Sequence, residues 1–117
     1  MTEIKHEPNP IFLRDRPTVE GPEGIRRTTI AFNDQLMLCH FEMKAGAAIP
    51  LHNHPAAQNG YVVSGKIKFL TEDGEFIAEA GTGYVFDPYE RHGAEVLSDA
   101  QVIECFAPKR PEYEPGG

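Results

Sequence analysis

The stretch Gly46-Ala47-Ala48-Ile49-Pro50-Leu51-His52-Asn53-His54-Pro55-Ala56-Ala57-Gln58 decides how this chain is read. His52 and His54 are two residues apart. In an extended strand such residues project from one face, so both imidazoles converge on one point. Pro55 then lets the backbone turn into the next apolar run, which brings Gln58 beside the rings as an oxygen ligand. A third imidazole, His92, follows the turn-like Asp87-Pro88-Tyr89-Glu90-Arg91 and is aimed from a separate segment. Three nitrogens and one oxygen suit a first-row divalent metal, with positions left for water or substrate. The expected centre is one divalent transition metal ion (nickel, zinc, manganese or iron) on His52, His54, Gln58 and His92. A glutamine ligand is neutral, so the ion would keep its full charge as a Lewis acid and as an attractor of anions.

Outward from this stretch the chain reads as strands. Ten prolines and eleven glycines interrupt it at short intervals. The runs between them are mostly too short for helices and rich in Val, Ile, Phe, Tyr and Thr. Strands are expected at 11–14, 25–32, 35–43, 48–52, 60–63, 66–70, 76–80, 84–86, 93–97 and 101–107. Glu72-Asp73-Gly74-Glu75 marks a hairpin, Asn33-Asp34 a turn, and Ser64-Gly65 the close of one strand. Many short strands and no sustained helical period imply an all-β sandwich or barrel. One domain spanning 1–117 is expected, its core at about 25–107, with charged, proline- or glycine-rich arms at 1–9 and 111–117.

Composition narrows the function classes. Eleven basic and 18 acidic side chains give a formal net charge of −7, and no basic run offsets it, so nucleic acid is excluded as a partner. No apolar run is long enough to cross a bilayer, and the polar N-terminus has no signal-peptide core. A cytoplasmic protein without membrane partners is expected. Cys39 and Cys105 lie in apolar runs and read as small buried hydrophobes. His40, Arg26 and Arg27 read as edge or solvated side chains, and Tyr84 and Phe86 as core.

The segment Gln101 to Tyr113 is the second informative one. Val102, Glu104 and Phe106 share one strand face, Ile103 and Cys105 the other. Parity does not say which face points inward. Facing in, Glu104 is a carboxylate beside a dication, placed for acid–base work; facing out, it is a solvated charge.

These patterns resemble a known family. Gly46-x5-His52-x-His54-x3-Gln58-x6-Gly65 is similar to the first cupin motif, with glutamine where glutamate is usual. Gly81 to His92, through Pro88, resembles the second motif, one residue shorter and with Glu90 in place of its usual glycine. The resemblance covers about residues 35–107. It implies a double-stranded β-helix, the cupin jelly-roll barrel, pairing as a homodimer through exchanged N-terminal strands. The ending with Glu104, Phe106 and Arg110 looks like the pectin-degradation cupins of the KdgF type, whose metal site is three histidines and a glutamine. That resemblance implies an enzyme converting 4,5-unsaturated monouronates to linear 5-keto acids, hence a small anionic substrate. It makes Glu104, Phe106 and Arg110 the catalytic residues, Glu104 standing where the family has aspartate. The alternatives are a cupin dioxygenase acting on an enediol or phenolic compound, and a non-catalytic module binding a metal and a small ligand.

Overall fold

The β-branched and aromatic runs between turn residues pair antiparallel in the computed structural model, which describes residues 3–115. The strands are β1 (Thr18–Glu20), β2 (Ile25–Phe32), β3 (Met37–Met43), β4 (Ala48–His52), β5 (Ala57–Thr71), β6 (Gly74–Glu79), β7 (Gly83–Phe86) and β8 (His92–Ala107). Two single 3-10 turns, Leu13–Asp15 and Pro111–Tyr113, flank them. Among the described residues no helix is long and apolar enough to cross a membrane. The sheet order is β1-β2-β3-β8-β5-β6, with β4 added to β8 and β7 added to β5.

The two long strands organise the fold. β5 and β8 pair from Ala57↔Ala107 to Thr71↔His92, with register shifts around Ser64 and Lys66. At that corner Gly65 has φ +86°, and a Cβ there would lie 2.2 Å from the Asp99 carbonyl oxygen. Only glycine fits both the backbone angle and the space. Bent at this corner, β5 and β8 serve two facing sheets. One half pairs with β3 and β7, the other with β4 and β6. This is the double-stranded β-helix.

Two expectations change accordingly. Runs 60–63 and 66–70 are one continuous strand, as are 93–97 and 101–107, because Ser64-Gly65 bends the ladder without ending it. The strand expected at 11–14 is absent: Leu13–Asp15 forms an exposed 3-10 turn. Pro10 and Pro17 bracket that segment and lack the N–H groups a ladder needs. The short β1, not anticipated, pairs with β2 instead. The other two turn signals hold. Thr71↔Gly74 closes the β5–β6 hairpin, and Asn33 Oδ1 accepts from the backbone N–H of Gln35 and Leu36 at 2.9 and 3.1 Å.

Alternation places one face of each strand between the sheets. β3 buries Met37, Cys39, Phe41 and Met43. Phe69, Tyr84 and Phe86 form an aromatic cluster, with Phe69 4.4 Å from Tyr84 and 5.9 Å from Phe86 between ring centroids. Each such buried side chain contributes about 1.5–3 kcal/mol relative to exposure. Both cysteines are free; Cys39 is fully buried and Cys105 partly so. Arg26 faces solvent, 3.6 Å from Glu42, and His40 reaches Gln101 Oε1 at 3.1 Å on the outer face.

Candidate metal centre

His52 ends β4, His54 and Gln58 flank the turn into β5, and His92 opens β8 directly opposite His52 in the ladder. The turn before His92 is tied to the first motif, since the Tyr89 N–H donates to the His54 carbonyl at 2.8 Å. Glu90, standing at the usual glycine, accepts from the Asp87 N–H at 2.9 Å and so closes this shortened turn. One ligand atom from each of His52, His54 and His92 lies within 4.8 Å of the others.

The side chains are held for ligation. His52 Nδ1 and His92 Nδ1 each donate to a backbone carbonyl, Pro50 at 3.0 Å and Glu90 at 2.8 Å, which leaves both Nε2 lone pairs free for a metal. His92 also stacks on Phe86, 4.4 Å apart and 5° from parallel. Burial holds His54 and His92 below the ordinary histidine pKa, so both are neutral at pH 7. His54 Nε2 approaches Gln58 Oε1 at 2.7 Å, whereas its Nδ1 is buried without a hydrogen-bond partner. For Nε2 to donate to Gln58, Nδ1 must be the bare, unpaired nitrogen. Ligation of a metal through Nε2 needs the other tautomer, with the proton on Nδ1 and both Nε2 and Gln58 Oε1 free as donors to the ion. The donor set fits a divalent ion.

β8 turns Val102, Glu104 and Phe106 inward, which settles the parity left open above. Glu104 Oε2 accepts from Gln58 Nε2 at 2.8 Å and from the Tyr84 hydroxyl at 2.7 Å. The first contact fixes the Gln58 amide with its oxygen toward His54. Burial pushes the Glu104 pKa up to about 7, against the opposing pull of Tyr84, Gln58 and Arg110. A cavity of about 230 Å³ between the sheets is lined by His52, Gln58, His92, Glu104, Phe106, Arg110 and Tyr113, among others. The Arg110 guanidinium lies 5.3 Å from the Phe106 ring centroid and 4.1 Å from that of Tyr113. Its Nε donates to Glu112 Oε1 at 2.7 Å and its NH1 to the Tyr113 hydroxyl at 3.0 Å.

All seven residues singled out in the sequence therefore gather at one cavity: six line it, and His54 reaches Gln58 beside it. Tyr113 was not among them. It sits in a segment expected to be a surface arm, yet its ring packs 5.5 Å from Phe106 and 3.9 Å under the Arg27 guanidinium. Its carbonyl accepts from the Thr29 hydroxyl at 2.5 Å. The available signal was an aromatic residue three positions after an arginine, in an otherwise polar tail. Tyr84 was read as core alone, and its hydroxyl bond to Glu104 had no sequence signal beyond being tyrosine rather than phenylalanine.

A jelly-roll barrel with three convergent histidines defines the class, and the chain belongs to the cupin family: the model for the cupin domain matches residues 39–106. Within that family it is similar to the pectin degradation protein KdgF of Dickeya dadantii (strain 3937), 31% identical over 105 residues, covering 87% of this chain and 96% of that protein. The solved structure of KdgF from Halomonas sp. superposes with a TM-score of 0.82 at 27% identity, over 89% of this chain and 98% of that one. An RmlC-like cupin from Shewanella frigidimarina NCIMB 400 gives a TM-score of 0.87 at 23% identity, over 95% and 100% of the two chains, a likeness of fold.

Proposed function

We propose that this protein is a metal-dependent cupin enzyme that opens 4,5-unsaturated monouronates to linear 5-keto acids. The observation that carries this reading is that Glu104, Phe106 and Arg110 line the same cavity as His52, Gln58 and His92. The likeness to two KdgF proteins supports the substrate class.

His52, His54, Gln58 and His92 would hold the ion, which when bound supplies Lewis acidity toward substrate oxygens. Arg110 takes the uronate carboxylate in a two-pronged grip, and Phe106 and Tyr113 give the sugar ring an apolar wall. The reaction is an isomerisation. A proton leaves the C1 hydroxyl, the bond from C1 to the ring oxygen breaks, and C4 gains a proton as the enol becomes a ketone. Glu104, whose carboxylate lines the cavity beside the ligand Gln58, takes and returns that proton.

Replacing Glu104 with Gln is expected to abolish turnover of unsaturated galacturonate, followed by loss of its ultraviolet absorbance, while metal content stays unchanged. Wild-type turnover in Glu104→Gln would remove Glu104 from the mechanism. Oxygen uptake coupled to turnover would assign a dioxygenase instead.

A further inference from the structure

Tyr84, Gly60 and Glu104 stand in one row across three strands: Gly60 of β5 pairs with Tyr84 of β7 on one side and with Glu104 of β8 on the other. With strands about 4.8 Å apart, the backbones of Tyr84 and Glu104 are roughly 10 Å apart. The phenol spans that gap over the bare backbone of Gly60 and donates to Glu104 Oε2 at 2.7 Å. A Cβ at Gly60 would lie 2.3 Å from both the phenol oxygen and its ring carbon. Gly60 is in the middle of a strand and makes no turn; what it supplies is passage for this one side chain.

Two donors, Tyr84 and Gln58, end on the same carboxylate oxygen, Oε2. Oε1 takes no hydrogen bond from the described residues, and Glu104 lines the cavity. Packing accounts for the ring of Tyr84, which sits against Phe69 and covers the glycine. It does not account for the hydroxyl, since phenylalanine would pack as well. We infer that Tyr84 is a positioning residue: its hydroxyl, passed over Gly60, pins Glu104 Oε2 and leaves Oε1 as the oxygen that meets the substrate. The inference deepens the proposed uronate reaction and rests on Glu104 acting in it. Burial and the neighbouring Glu104 hold the Tyr84 pKa well above the ordinary tyrosine value, so the phenol stays a donor.

The test uses Tyr84→Phe, which keeps the ring and removes the hydroxyl. Metal content and KM for unsaturated galacturonate are expected to stay at wild-type levels while kcat falls about 10- to 100-fold, the range for a lost hydrogen bond to a charged group. A second readout needs no substrate. In infrared spectra of metal-loaded protein at alkaline pH, the carboxylate band missing from Glu104→Gln identifies Glu104, and it should shift in Tyr84→Phe. Gly60→Ala, which displaces the ring, should reproduce both effects with a lower Tm. Wild-type kcat in Tyr84→Phe, an unmoved band, or failure of that variant to fold would overturn the positioning role. If the wild-type protein leaves the unsaturated uronate unchanged, the proposed reaction falls, and the band shift still decides Tyr84.

Discussion

Removing and restoring the ion at the three-histidine centre should move the melting temperature by about 11 °C. The ligand atoms of His52, His54 and His92 converge only when β4, the turn into β5 and the start of β8 are assembled, so the unfolded chain offers no comparable site. A ligand binding only the folded state at 100 times its Kd stabilises by about 2.7 kcal/mol. Unfolding entropy near the midpoint is about 2.1 cal/mol/K per residue, or about 0.25 kcal/mol/K for this 117-residue chain. The quotient is the shift. The assay is scanning calorimetry of chelator-stripped protein, alone and with nickel, zinc, manganese or ferrous iron added singly, alongside elemental analysis of the reloaded sample. His52→Ala is the informative control, because His52 is only half-buried and its loss opens no core cavity; most of the shift should vanish with it. Equal melting temperatures with and without every ion, and no bound metal after reloading, would refute the reasoning from donor geometry.

Two further outcomes follow from charges around the cavity. Glu112 competes for the Arg110 guanidinium that the proposed reaction gives to the uronate carboxylate, holding its Nε at 2.7 Å. Since an exposed pair of this kind is worth at most about 1 kcal/mol, Glu112→Gln should lower KM by up to about fivefold with kcat unchanged; steady-state kinetics showing a raised KM would count against that role. The second concerns pH in the metal-free protein. The Glu104 pKa is raised from 4.5 to about 7 by burial, so the folded state is penalised increasingly as pH climbs from below the unfolded value through 7. Glu104→Gln lacks that penalty. Its stability advantage over wild type in urea denaturation should be near zero at acid pH and reach about 3 kcal/mol in order of magnitude above pH 7. An advantage that shrinks with rising pH would reverse the sign of the argument.

The parts of the site readable from sequence are those set by short-range geometry. His52 and His54 share a face because i and i+2 do so in any strand, and Gln58 follows within one turn. His92 was legible from the turn that precedes it, although Glu90 closes that turn by accepting a backbone N–H, which its place in the motif did not announce. Apart from the family resemblance, Glu104 was visible only as a member of an alternating set. Alternation has two equivalent phases, and β8 is fixed in one of them by its pairing with β3 on one side and β5 on the other. Gly65 misled for a related reason. Locally a glycine after serine looks like a strand end, yet here it lets a continuous ladder bend, and the atom that demands glycine belongs to Asp99, far along the chain.

Period-two hydrophobicity and close ligand spacing were enough to specify an all-β chain and an imidazole pair, because both are properties of neighbouring residues. Which oxygen of Glu104 is free, how Tyr84 reaches it across Gly60, and that Tyr113 closes the cavity against Arg110 depend on strands brought side by side by folding. Such contacts join residues far apart in the chain, and no local pattern encodes the distance between them.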